Sequence, residues 1–383
     1  MLHTDIPTLV DVTSFAATRQ PGCVSIYVPT SPTDSRLGRI ELKTLLSEAV
    51  ARLRQSGMGR QHVDELHDDI AGLIDDSSFW QYQAKGLAVF ATAGVLRTFR
   101  LPEQTAAVIE ISDRFVIKPL LRTITFPRAA LVLALAQNSV RLIEVFPDLL
   151  PCELVVPDLP TDIASTIGVP SIRGRAVPGT GRIRGSEGQK VRQAQYAHAI
   201  DQALRPVLAG RDLPLVIAAA EPMASIYRSV NSYGRLATET LPGNPEERSA
   251  SELADAALAV VDSINAAELM TLRNSFTDSL GSERAFIELS DVARAATYGA
   301  VETLFVDIDQ TIRGQIDDDN GAITFGDAND SACYDVVNEI LRRALITGAR
   351  ILTVSAADVP AGGPCAAVLR FPTWQVANGA SPR

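Results

Sequence analysis

The chain has 383 residues, 46% of them hydrophobic and 21% charged, and a formal net charge of −10 at pH 7. These are the proportions of a folded protein in water, in a chain longer than one hydrophobic core organises, so two or three domains are expected. No apolar run approaches the roughly 20 residues that span a bilayer, and the opening MLHTDIPTLVDVTS lacks the basic-then-apolar layout of a signal peptide, so no membrane association and a cytoplasmic location are expected. Cys23, Cys152, Cys333 and Cys365 lie far apart without a Cys-x-x-Cys pair. That spacing suggests neither a disulfide framework nor a zinc site, and all four read as core thiols.

In chain order, CVSIYVPT at 23–30 is an apolar, β-branched run ended by proline, the pattern of a buried strand. Ile40, Leu42, Leu45, Leu46, Val50 and Leu53 then recur at helical spacing, Gly57-Met58-Gly59 breaks the pattern, and Val63, Leu66, Ile70 and Leu73 resume it as the second helix of a hairpin. Short apolar runs at 86–92 (GLAVFAT), 95–101 and 106–111 read as strands, which makes this region an α/β layer. A second region opens near Arg128 with strands at 131–135, 140–145 and 152–156, then a helix at 189–208, a strand at 214–219 and a helix at 223–230. A third begins near Pro245, where Glu246 and Glu247 suit a helix N-terminus. A long helix to about 280 is followed by a helix at 289–298, strands at 301–306 and 322–325, a helix at 333–345, and strands at 350–354 and 366–371.

Between the last strand of the second region's meander and its first helix lies a stretch with no periodic pattern, 168–188. It is longer than the roughly 12–15 residues beyond which a structureless loop inside a compact domain is usually functional or disordered. Between Gly168 and Arg192, Arg173, Arg175, Arg182, Arg184, Lys190 and Arg192 stand against the single acid Glu187. A local excess of cations on an acidic chain suits a phosphate-rich partner, because the remaining surface repels polyanions. The alternative is a solvated connector.

Other constellations point elsewhere. Leu304-Phe305-Val306-Asp307-Ile308-Asp309-Gln310-Thr311 has the strand-borne Asp-x-Asp-x-Thr pattern of haloacid-dehalogenase phosphatases, in which the first aspartate attacks phosphorus and the second shuttles the proton. The same residues also read as a strand-end turn capped by aspartates. Asp317-Asp318-Asp319-Asn320-Gly321 has the composition of a calcium loop, but the glycine register puts Ile316 at its first ligand position, which leaves a hairpin turn. His62 and His67 are five apart and do not share a helix face; His198 reads as a packed or solvated residue. The loop matches neither phosphate-binding glycine motif, so no nucleotide cradle, cofactor or metal is expected.

In the order of its regions, the chain resembles the archaeal and eukaryotic class I release factors and their relative Pelota, especially the divergent, Balon-like bacterial members. SIYVPT, a helical hairpin and GLAVFAT are similar to the family's first domain; AATYGAVETLFVD is similar to the segment around Gly-Ala-Val-Glu in its last; and Glu187-Gly188-Gln189 stands where release factors carry Gly-Gly-Gln. The resemblance implies an α/β fold of three domains. These would be a decoding-site-like domain with a helical hairpin at 1–126, a ribonuclease-H-like domain carrying the basic glycine-rich loop at 127–243, and at 244–383 an α/β/α sandwich like that of kink-turn-binding ribosomal proteins, which contacts a translational GTPase such as elongation factor Tu.

It also implies a translation factor of rescue or hibernation type that binds the ribosomal A site, with rRNA and peptidyl-tRNA as partners. Gly188 and Gln189 would then be the catalytic pair, beside Gly185, Ser186 and Glu187 of the loop, with Arg173, Arg175, Arg182, Arg184, Lys190 and Arg192 on RNA. In release factors the glutamine's backbone N–H stabilises charge developing on the attacked ester while its side chain selects water as the nucleophile. This chain departs at two places. Glu187 replaces the first glycine, and the hairpin turn Gly57-Met58-Gly59-Arg60 lacks the Asn-Ile-Lys-Ser sequence of the stop-codon loop. Active peptidyl-tRNA hydrolysis and an unrelated phosphatase built on Asp307 and Asp309 are the alternatives.

Overall fold

The structure is a computed structural model that describes residues 5, 7–147, 149–163, 186–326 and 333–372, with the backbone alone at 186–188. The described residues divide into two compact units, one made of Met1–Pro127 together with Leu269–Arg383, the other of Arg128–Glu268. The class is mixed α/β, with a separate sheet at the centre of each of the three regions.

In the first unit, α1 (Leu9–Ala17) starts on a capping box in which Thr8 and Asp11 satisfy each other's backbone N–H groups. β1 (Cys23–Pro29) is followed by the helical hairpin α2 (Arg36–Gln55) and α3 (Arg60–Asp75), the short α4 (Ser77–Gln81), and strands β2 (Gly86–Thr92), β3 (Val95–Leu101) and β4 (Val108–Ser112). The four strands form an antiparallel sheet in the order β3-β2-β1-β4. Alternation in β1 covers both faces: Val24, Ile26 and Val28 pack under α2 and α3, whereas Cys23 and Tyr27 join a cluster with Phe15, Phe90 and Phe115 on the other face. α5 (Lys118–Thr125) closes this part of the chain.

The second unit holds β5 (Ala130–Leu135), β6 (Val140–Val145), β7 (Cys152–Leu154), α6 (Ser186–Leu208), β8 (Leu215–Ala218), α7 (Met223–Val230), β9 (Leu236–Leu241) and the first half of α8 (Ala250–Gly281). Its sheet runs β7-β6-β5-β8-β9, antiparallel on the β6 side and parallel from β5 through β9. Period two again decides the faces. Leu131, Leu133 and Leu135 meet α6 and α7, while Ala130, Val132 and Ala134 meet Leu253, Ala257 and Val261 of α8. β7 is an edge strand with solvent on its side chains, so Cys152 is exposed and departs from the expected core thiol; Cys23, Cys333 and Cys365 are buried.

The last region returns to the first unit with β10 (Ala285–Phe286), α9 (Leu289–Thr297), β11 (Val301–Asp307), β12 (Arg313–Ile316), β13 (Ile323–Phe325), β14 (Tyr334–Asp335), α10 (Val336–Ile346), β15 (Arg350–Val354) and β16 (Cys365–Leu369). One sheet is ordered β10-β16-β11-β15 and a small one β13-β12-β14. Leu304 and Val306 of β11 face α9 and α10, and Phe305 faces Phe276 in the second half of α8. The turn of the β12–β13 hairpin is Asp317-Asp318-Asp319-Asn320-Gly321, where Asp317 Oδ1 accepts from the N–H groups of Asp319 and Asn320, each at 2.9 Å. This is the hairpin expected from the glycine register.

Candidate functional site

Helix α6 is fixed from its second turn onward. Gln193, Tyr196, Ala197, Ile200 and Leu204 recur at helical spacing and are buried against β5 and β8. The Tyr196 hydroxyl donates to the carbonyl of Ala136 at the end of β5, 3.2 Å away, and burial raises its pKa. One turn on, Asp201 accepts from the N–H of Ser232 (2.8 Å), the Ser232 hydroxyl (2.9 Å) and the Arg205 guanidinium (2.8 Å). Burial would raise the Asp201 pKa, yet the hydrogen bonds from Ser232 and Arg205 outweigh it and hold the group below the usual carboxylate range. The two side chains, at i and i+5, tie α6 to the end of β5 and to the loop that follows α7.

The expected site residues sit at or before the other end of this helix. Arg173, Arg175, Arg182, Arg184 and Gly185 lie outside the described residues. Ser186 and Glu187, expected in the loop, are instead helical: α6 begins at Ser186, three residues before the expected Gln189. Serine and glutamate are residue types that helix N-termini favour, so the sequence permits a start earlier than its apolar spacing marks. Gly188 and Gln189 therefore belong to a helical turn as well, and Gln189, Lys190 and Arg192 are exposed. The structure thus brings Glu187-Gly188-Gln189, Lys190 and Arg192 together at the head of an anchored helix. His198, further along it, is exposed.

The competing aspartates have ordinary structural partners. Asp307 is buried at the end of β11 and its Oδ1 accepts from the N–H of Asp309 at 3.0 Å, which makes it the cap of a strand-end turn. Among the described residues, no group of three or more His, Cys, Asp and Glu side chains is arranged to hold a metal ion.

A cleft of about 420 Å³ in the first unit is lined by Arg19, Asp113, Arg114, Asp318 and Tyr334, among others. Its charges are matched against each other. Arg19 lies 3.1 Å from Asp113 and 3.3 Å from Asp318, and the Arg114 guanidinium stacks 4.0 Å from the Tyr334 ring centroid. The sequence singled out Asp318 only as part of a hairpin turn, and Asp113-Arg114 has no periodic or motif context there.

Residues 127–267 match the family described as bacterial archaeo-eukaryotic release factor family 11, a span that coincides with the second compact unit to within a residue at each end. No curated protein matches the chain. Among solved structures, an archaeal translation termination factor, aRF1, is 15% identical over 95% of this chain and 99% of its own, with a TM-score of 0.24. Ribosome-bound archaeal Pelota is 13% identical over 96% of each chain at a TM-score of 0.38, and Saccharomyces cerevisiae Dom34 is 12% identical over 75% of this chain and 73% of its own at 0.39. The likeness to the bacterial archaeo-eukaryotic release factors is thus carried by the middle unit, residues 127–267.

Proposed function

We propose that this protein is a ribosome-binding translation factor of rescue or hibernation type, which occupies the A site and presents the Glu187-Gly188-Gln189 turn to peptidyl-tRNA. One observation carries the reading: in the unit that matches the family, the tripeptide forms the first turn of a helix whose body is locked to the sheet by Tyr196, Ile200, Asp201 and Leu204. A group that must meet an ester within hydrogen-bonding distance has to sit on a rigid support, since a misplacement of about 1 Å can cost on the order of a hundredfold in rate. Arg173, Arg175, Arg182, Arg184, Lys190 and Arg192 supply the contacts to RNA phosphates, and a translational GTPase such as elongation factor Tu is the protein partner of the last region.

Glu187 favours occlusion over hydrolysis. The release-factor glycine at that position admits the backbone to a crowded site, whereas a carboxylate brings a charge that RNA phosphates repel unless a neighbouring cation such as Lys190 neutralises it. Peptide release remains the second reading, because Gly188 and Gln189 are both present. The test is sedimentation of the full-length protein with purified ribosomes, followed by release of peptide from stalled complexes. Co-migration with little or no release supports occlusion, and co-migration with rapid release selects hydrolysis. A protein that stays at the top of the gradient at low salt refutes both.

A further inference from the structure

Helix α10 is buried on every side. From Val336 to Leu345 each residue is buried, including Asn338, Glu339, Arg342 and Arg343. A helix covered all round needs partners on all faces, and those of α10 come from both ends of the sequence. Val336, Val337, Ile340, Leu341 and Ala344 share one apolar cluster with Val12, Phe15 and Ala16 of α1 and with Phe115, Ile117 and Leu120 before and within α5.

The polar groups do the same. Asn338 Oδ1 accepts from the N–H groups of Ile117 (3.1 Å) and Lys118 (3.3 Å), and its Nδ2 donates to the carbonyl of Phe115 (3.3 Å). Glu339 is fully buried between three guanidiniums. Arg342 and Arg343 reach it from its own helix at 2.7 and 2.8 Å, and Arg114 of the first region forms an ion pair with it at 2.6 Å. Arg342 also donates to the carbonyl of Ala16 at 3.0 Å. At the rim, Arg313 grips Glu110 with both Nη atoms (2.7 and 3.1 Å), and Lys118 lies 3.3 Å from Asp335.

We propose that residues 1–127 and 269–383, which are separated in sequence by the middle unit, are one cooperative body locked by this Asn338–Glu339 clasp, and not two modules that move independently. Pulling the two regions apart would leave the Asn338 amide and the N–H groups of Ile117 and Lys118 without their partners, and would expose the apolar face of α10. A partner that binds the last region therefore displaces the first region with it, whatever that partner is.

The test is hydrogen exchange followed by mass spectrometry on the full-length protein, so it does not depend on any ribosomal activity. In Asn338→Ala, which removes only contacts between the two regions, protection is expected to fall about tenfold or more in peptides covering both β1 and β11. A loss confined to α10 and β11, with β1 unchanged, would overturn the proposal, as would no loss in either. Should that variant not fold, the wild type exchanged across a urea series answers the same question. β1 and β11 are expected to open at the same urea concentration, and separate midpoints refute the single body.

Discussion

At the scale of single residues, Gly188 and Glu339 make opposite tests. Gly188 is helical, so Gly188→Ala should stabilise the first turn of α6 by roughly 0.5–1 kcal/mol through the lower backbone entropy of alanine. If the turn must unwind to reach peptidyl-tRNA, the same substitution should weaken ribosome-dependent activity while the melting temperature rises; unchanged activity would separate this residue from the function. Glu187→Gly, by restoring Gly-Gly-Gln, should increase peptide release above the wild-type level in the stalled-complex assay.

Glu339 reports through pH. Burial alone would raise its carboxyl, but Arg342, Arg114 and Arg343 pull it from its ordinary 4.5 down to about 2, and Asp113 beside Arg114 and Arg19 likewise falls to about 2. Because both folded-state values are depressed, their stabilisation is complete above about pH 5 and is lost as pH falls towards 2. Removing one partner of a buried pair costs on the order of 3 kcal/mol, so Glu339→Gln should be destabilised by about that much at pH 7. The deficit should shrink as the pH is lowered to 3, as read from denaturant midpoints at each pH. A deficit independent of pH would show that Glu339 contributes by packing and not by charge.

At the scale of elements, two substitutions test what holds the site and what holds the hairpin. Ile200 is fully buried between α6 and the sheet, and Ile200→Ala should destabilise the protein by about 2–5 kcal/mol through lost transfer free energy and a cavity. Gly321 closes the β12–β13 turn with φ of +73°, and a Cβ there would meet Arg294 Cα at 2.7 Å and Thr297 Oγ1 at 2.8 Å. Gly321→Ala thus combines a left-handed backbone with a backbone clash and should cost roughly 1–3 kcal/mol. Thermal unfolding measures both, and a neutral Gly321→Ala would mean that the turn relaxes away from α9.

The elements themselves were largely legible. GLAVFAT at β2 and the runs that became β3, β6, α7 and β15 carry enough apolar periodicity to fix both type and ends. α1, α5 and β9 were not seen. The first two are short helices whose apolar residues are completed by α10 far along the chain, and the sequence LATETL of β9 has an edge strand's mixed polarity.

At the scale of the whole molecule, association with RNA should be governed by charge. In a chain of net charge −10, each phosphate bound by the basic segment steepens the dependence of log affinity on log salt by about 0.7–0.9. Replacing Arg182 and Arg184 by alanine should therefore weaken ribosome binding at low salt and flatten that slope by about this amount for each phosphate that is no longer neutralised, in a filter-binding titration at several salt concentrations. An unchanged slope would remove these two arginines from the interface.

The sequence by itself determined the α/β class, the strand runs that are buried on both faces and a helix from about Gln189, which the structure starts three residues earlier, because each of these is written in local periodicity and turn chemistry. It also carries Asn338, Glu339, Arg342 and Arg343 at helical spacing among apolar residues. Only the tertiary structure decided that this charge is buried and what neutralises it. Arg114 is more than two hundred positions away, and no local pattern can announce a pairing that exists only once α5, α10 and the first sheet have packed. For the same reason the division into units was not legible: α8 reads as one uninterrupted helix, yet Leu253 to Val261 complete one core and Phe276 completes another.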